Sequence, residues 1–324
     1  MEMESFWTNL SQYMTKESLD IGLYRIVMEE CGSLASEPAD VTYEEVKCPG
    51  TVRPAIWCKP HSSSPSKLIL YLHGGAFISG SPASHRKIAA HLAKKAGTCA
   101  LVLDYRRAPE HQFPKQIEDV LATYQWLLND RGLKPSHIAF AGDSAGGNLS
   151  VSASLAIKQR GLPIPAAIAT FSAWLDMRAS GETYERNNHK DALASPEALP
   201  GVITTYLGGA SLDDPLVDLL RTDLTGMPAM YIATGTSDIL ESDAVSLAEN
   251  ARKAGVHVQL ELPPDMQHIW VALAGNSPEA DKSLSEAAAF IINRDTSVAI
   301  HIIRAVFLCL SFFAESLRPG GGKG

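Results

Sequence analysis

From Lys67 onward the chain alternates short apolar runs with longer stretches of helical periodicity. Lys67–Leu72 is an almost unbroken apolar run, which predicts a strand buried on both faces. Thr98–Leu103, Ile138–Ala141, Ala166–Phe171, Met230–Ala233 and Val256–Leu260 repeat the pattern. Between them, Ile88–Ala96, Gln116–Leu128, the run after Ser144 up to Gln159, and Ala244–Ala254 read as helices. This order predicts an α/β protein with a mainly parallel sheet and helices on both faces. Ahead of it, polar and apolar residues alternate over Val41–Lys47 and Arg53–Cys58, as in an antiparallel pair, and Pro60–Pro65 is a Ser/Pro loop.

Two stretches interrupt the alternation. Residues 1–40 carry scattered helical periodicity at Tyr13, Leu19, Leu23, Ile26 and Val27. Residues 178–225 are rich in turn formers and mix polar with apolar segments. The two together could cover the C-terminal edge of the sheet as a helical lid, where ligands bind in such folds. The plainer alternative is a long structural excursion. Residues 41–294 would then be the catalytic domain, with 178–225 inserted in it.

The chemistry concentrates around Ser144. Ile138–Ala141 runs into Gly142-Asp143-Ser144-Ala145-Gly146, a G-x-S-x-G turn between a strand and a helix. Small residues on either side allow a turn tight enough to push the serine hydroxyl out of the sheet. The next N–H, from Ala145, then faces the same space at a helix N-terminus. The motif alone is common, and its context gives it meaning. Upstream, the buried strand ends in His73-Gly74-Gly75-Ala76-Phe77. Here the N–H groups of Gly74 and Gly75, with that of Ala145, could hold an oxyanion. The same residues also fit an ordinary β-turn.

A serine needs a base to take its proton, and the base needs an orienting acid. Asp238 follows the strand Met230–Ala233, and His268 lies in the loop after Val256–Leu260. Taken singly, Asp238 also fits a helix N-cap and His268 a surface histidine. The chain order Ser144, Asp238, His268, at loops on one sheet edge, favours a catalytic triad. His73 precedes the serine, so its expected role is to hold the oxyanion turn; the other histidines read as surface or hydrogen-bonded groups. With an unperturbed imidazole as base, activity is expected to decline below roughly pH 6.5.

His73–Phe77, Asp104-Tyr105-Arg106-Arg107-Ala108-Pro109-Glu110, Gly142–Gly147 and Ser237-Asp238-Ile239-Leu240 together resemble the hormone-sensitive-lipase family of α/β-hydrolases. The resemblance spans about Tyr43 to Asn293. It implies an eight-stranded sheet, a lid built from the N-terminus and an insertion, and hydrolysis of carboxylic esters without a cofactor or metal. By position it implies Ser144 as nucleophile, Asp238 as acid, His268 as base, and oxyanion N–H groups from Gly74, Gly75 and Ala145. Two residues depart from the pattern. Ala76 stands where a third glycine is common, which narrows the alcohol side of the pocket, and Arg107 replaces a common leucine. Esters of short acyl chains, with lactones among them, are the expected substrates. Amide hydrolysis is the alternative within enzymes, and a small-molecule receptor on the same fold is the alternative outside them.

Composition narrows the partners. A net charge of -8 over 324 residues, with no Lys/Arg run, argues against nucleic acid. The five cysteines form no Cys-x-x-Cys pair, and the acidic N-terminus lacks the order of a signal peptide. A reducing, cytoplasmic setting follows as the expectation. Two N-x-S sequons, at Asn9 and Asn148, are taken as chance, the second because it would be buried. Residues 295–324 lie outside the resemblance. Val298–Phe313 is apolar apart from His301, Arg304 and Ser311, and is shorter than the roughly 20 residues of a spanning helix. A helix packed on the domain or a partner, an interfacial membrane anchor, and an unstructured extension all remain open. The oligomeric state is not legible.

Overall fold

The computed structural model describes residues 14–293, apart from 16–17, 50, 52, 192–195 and 197–198. The apolar tail from Asp295 therefore lies outside the described residues, as do Asn9 and Cys309. Eight strands form one sheet: β1 (Val41–Val46), β2 (Ala55–Pro60), β3 (Ser64–Leu72), β4 (Thr98–Leu103), β5 (Ile138–Asp143), β6 (Ala167–Phe171), β7 (Ala229–Ala233) and β8 (Val258–Glu261). Their spatial order is β8-β7-β6-β5-β3-β4-β2-β1. Strands β3 to β8 are parallel, whereas β2 runs antiparallel to both β1 and β4.

Alternation along β6 and β7 divides their side chains between two core clusters. Ile168 of β6 and Met230 and Ile232 of β7 join Val151 and Leu155 beneath one face. Phe171, Tyr231 and Ala233 point the other way, into the larger cluster. Helices α2 (Pro82–Ala96), α3 (Lys115–Asn129), α4 (Ala145–Gln159) and α7 (Glu241–Lys253) fill the crossovers. A helix over 278–293 closes the described chain, and its Phe290 ring lies 6.1 Å from that of Tyr231.

The predicted strands appear within a few residues of their expected ends, while helix starts differ more. α2 begins at Pro82 rather than Ile88. Its start is set by polar chemistry: Ser81 accepts from the N–H groups of Ala83 and Ser84, and Ser84 Oγ accepts the Ser81 N–H. It ends on Gly97 in the left-handed region, φ +61°. The helix over 278–293 was absent from the sequence reading, although Ser277-Pro278-Glu279 is a helix-start signature.

The two stretches outside the alternation both reach the region around the Ser144 turn. From the N-terminal stretch comes α1 (Ile21–Glu29), followed by a 3-10 turn at Glu30–Ser33. Arg25 on α1 donates to the carbonyls of Ile78 and Ala108, 2.7 and 2.9 Å away, and forks onto Glu110. From the 178–225 stretch come α5 (Thr183–Arg186) and α6 (Leu199–Leu207). Tyr206 of α6 stacks on Phe77 at 3.8 Å between ring centroids, an aromatic pair worth about 0.5–1.5 kcal/mol beyond its buried area. Among the described residues no helix is long and apolar enough to cross a membrane, and Cys31, Cys48, Cys58 and Cys99 are free thiols.

Candidate active site

The turn after β5 is built around what cannot fit there. A Cβ on Gly146 would lie 1.9 Å from the Leu72 carbonyl oxygen, and one on Gly142 would lie 2.5 Å from the same oxygen. Only hydrogen at both positions lets the strand fold back so sharply into α4. Ser144 absorbs the bend, at φ +50° and ψ −120°, which costs a non-glycine residue on the order of 1–3 kcal/mol. The N–H of Ser144 is held by the Phe171 carbonyl at 2.9 Å. Its side chain is thereby aimed over the C-terminal edge of the sheet.

That edge brings the three predicted side chains together. His268 Nε2 is 3.0 Å from Ser144 Oγ, and His268 Nδ1 is 3.1 Å from Asp238 Oδ2. Asp238 follows β7 and is fully buried. Its Oδ1 accepts the Leu240 N–H at 2.9 Å within the turn before the next helix, whose N-cap is Leu240, so Asp238 is not a helix cap. Ser172, at the end of β6, accepts the Ile269 N–H at 3.0 Å and steadies the His268 loop.

Burial disfavours charge on both partners, and their mutual attraction overrides it. The Asp238 carboxyl is held below the ordinary carboxylate value by the His268 charge, their hydrogen bond, and bonds from Ser172 and Leu240. Against its own desolvation, His268 is pushed up to about 9 by Asp238, with smaller contributions from Asp191 and Asp143. This revises the expectation of an unperturbed imidazole. A base must be neutral to accept the serine proton, so a raised pKa moves the loss of activity to higher pH. The acidic limb of kcat/KM is expected above pH 6.5, toward 9, and a pH–rate profile checks it; a midpoint at or below about 6.5 would contradict it.

Opposite Ser144 lies the loop after β3. Gly75 has φ +112°, a conformation open to glycine, and a Cβ on Gly74 would sit 2.1 Å from Asp143 Oδ2. Ala76 and Phe77 continue the loop at φ +55° and +62°. Ala145 opens α4 and is fully buried, with its N–H among the unpaired donors of a helix start. The loop is braced from behind. His73 Nδ1 is 2.7 Å from the Gly74 carbonyl, and its ring stacks on Tyr105 at 4.2 Å. Burial drives the His73 pKa well down, so the ring is neutral. Arg107 donates to the Gly80 carbonyl and pairs with Asp104 at 3.7 Å, a structural placement.

Several contributing residues escaped the sequence reading. His85, grouped there with ordinary histidines, is buried with Nε2 3.3 Å from Asp143 Oδ2, off the line of a hydrogen bond. Tyr71 donates to Asp143 Oδ1 at 2.9 Å. Burial would raise the Asp143 carboxyl, and His85, Tyr71 and His268 bring it below its usual value. Asn187 in the insertion donates to the Asp238 carbonyl at 2.8 Å. Asn148 of the second sequon is buried, as expected from the sequence, and its donation to the Trp174 carbonyl is the part that was not legible. Ser172 was open to inference as well, because it directly follows β6 at the same edge.

Asp191, Asp238 and His268 are, among the described residues, close enough to share a metal ion. The imidazole nitrogens are already engaged, one with Asp238 and the other with Ser144. The donor set thus fits a proton path, and a cation bridging it would have to break the Ser144–His268–Asp238 chain.

Comparison with known proteins agrees with this chemistry. Residues 69–272 match the family model of the α/β hydrolase fold. An acetyl-hydrolase of Streptomyces hygroscopicus is 35% identical over 268 residues, covering 83% of this chain and 87% of the relative. The crystal structure of EstE5 soaked with p-nitrophenyl butyrate superposes with a TM-score of 0.80 at 32% identity, covering 86% of this chain and 92% of that one. An esterase from the bacterial hormone-sensitive lipase family gives a TM-score of 0.82 at 35% identity, covering 88% and 97%. The likeness runs through the whole sheet as well as the motifs: the chain belongs to the hormone-sensitive-lipase family of α/β-hydrolases and is a serine carboxylic ester hydrolase.

Proposed function

We propose that the enzyme cleaves esters of short acyl chains through an acyl-enzyme on Ser144. The observation that carries this reading is the unbroken chain from Ser144 Oγ through His268 to Asp238, at 3.0 and 3.1 Å. Ser144 Oγ attacks the ester carbonyl as His268 Nε2 takes its proton, and Asp238 stabilises the imidazolium. The N–H groups of Gly74, Gly75 and Ala145 receive the developing oxyanion. Collapse breaks the C–O bond, and His268 returns the proton to the departing alcohol. Water, deprotonated by His268, then attacks the acyl carbon, and the carboxylic acid leaves as the proton returns to Ser144.

The short-chain preference rests on how the insertion uses its side chains. Leu199, Val202, Tyr206 and Leu207 of α6 are buried in the core rather than offered to a ligand. The charges around them are paired, Arg178 with Asp213 and Arg186 with Glu182 and Glu241. Among the described residues Ile26 is the one large hydrophobic that is strongly exposed, so a broad apolar face for a lipid surface is not presented. A long-chain enzyme gains about 0.8 kcal/mol per CH₂ only where apolar walls exclude water. The acetyl-hydrolase relative and the butyrate ester soaked into EstE5 point the same way. Small or cyclic alcohols, lactones included, suit a loop in which Ala76 adds a methyl. In this reading α1 and the 178–225 insertion act together as the lid.

The test is kcat/KM across p-nitrophenyl esters from acetate to palmitate. The maximum is expected at about two to six carbons. A maximum at the long-chain end would mean that acyl specificity is that of a lipase.

A further inference from the structure

Resting on the triad reading above, we infer that Asp191 is a second acid of the catalytic apparatus, a positioning residue through which the insertion holds the Asp238 loop and sets the basicity of His268. It stands just after the turn that follows α5 and is buried, at 8% exposure. Its Oδ2 accepts the N–H of Ile239, the residue after Asp238, at 3.1 Å. One ligand atom each of Asp191, Asp238 and His268 lie within 4.8 Å of one another.

The surrounding bonds make this a clamp. Asn187, four residues earlier, donates from Nδ2 to the carbonyls of Asp238 at 2.8 Å and Thr236 at 3.1 Å. The Asp191 N–H in turn bonds the Asn187 carbonyl at 3.0 Å. Residues 187–191 therefore grip the acid loop at three backbone positions, Thr236, Asp238 and Ile239. Two of those grips come from a neutral amide. The third comes from the Asp191 carboxylate, which accepts the Ile239 N–H. Burying a carboxylate beside another carboxylate is costly unless a positive charge compensates it. His268, which becomes positive during turnover, has a ring nitrogen within 4.8 Å of an oxygen of each carboxylate.

The charges acting on His268 come from three elements: Asp238 after β7, Asp191 in the insertion, and Asp143 at the end of β5. Asp143 is itself faced by His85 and Tyr71. Glu241, at the start of α7, is engaged by Arg186. Asp191 thus acts on the imidazolium in the same sense as Asp238, from the opposite structural unit. The chemical role follows: it stabilises the protonated base formed in each proton transfer, and couples that stabilisation to the seating of the insertion.

Asp191→Asn keeps an oxygen to accept the Ile239 N–H and removes the charge. The pH–kcat/KM profile of the variant is expected to have its acidic midpoint lowered by about one pH unit relative to wild type, with KM little changed. Should Asp191→Asn not fold, as judged by its thermal melt, Asp191→Ser keeps an acceptor oxygen and carries the same expectation. An unmoved midpoint, with activity unchanged or uniformly reduced at all pH values, would reduce Asp191 to a structural tie and overturn the inference. Failure of the triad reading looks different: His268→Ala would then retain wild-type turnover and its acidic limb.

Discussion

Replacing Ser144 with alanine is expected to abolish turnover, by a factor on the order of 10⁶ in kcat, while leaving the fold intact. The loss is chemical because the substitution removes only Oγ, the atom 3.0 Å from His268 Nε2. Alanine and serine tolerate the φ +50° backbone about equally, so the stored strain is unchanged. The Ser144 N–H keeps its bond to Phe171, and Gly142 and Gly146 still close the turn. A thermal melt within a few degrees of wild type, together with a rate near the residual set by the oxyanion groups, is the expected pair of results. A folded Ser144→Ala protein that hydrolyses esters at even a hundredth of the wild-type rate would remove Ser144 from the mechanism.

Asp238→Asn is expected to lower kcat by about 10⁴ at neutral pH, through the tautomer of His268. The two carboxylate oxygens of Asp238 accept from different donors, Leu240 N–H and His268 Nδ1. An asparagine has one oxygen for these two positions. If that oxygen stays with the backbone N–H, the amide NH₂ faces Nδ1 and forces the imidazole proton onto Nε2. His268 then presents an N–H to Ser144 instead of a lone pair and cannot accept the serine proton. Steady-state kinetics checks the size of the loss, and NMR of the imidazole protons checks the cause. A ten-fold loss or less would show that orientation by Asp238 is not needed.

The sheet was readable because buried parallel strands have almost no freedom in composition: Leu68–Leu72 and Leu101–Leu103 are wholly enclosed. The meeting of Ser144, Asp238 and His268 was readable for a related reason, since the fold sends loops after successive strands to one edge. Helix boundaries were less legible, because α2 starts where Ser81 caps it and not where its apolar face begins. The electrostatics were least legible. Nothing in the spacing of His85 and Asp143, or of Asp191 and Ile239, signals contact; those pairs meet through the crossovers and the insertion. The revised pH expectation for His268 has this origin, because its pKa depends on three carboxylates contributed by three separate elements.

The central claim is that the acyl group passes through Ser144, and trapping that intermediate tests it most directly. The purified protein would be mixed with p-nitrophenyl butyrate and quenched in acid during turnover. Intact-mass measurement and peptide mapping would then follow, with Ser144→Ala in parallel. The expected result is a single butyryl adduct on the peptide carrying Ser144, absent from the variant. A butyryl adduct on any other residue, or its persistence in Ser144→Ala, would contradict the account.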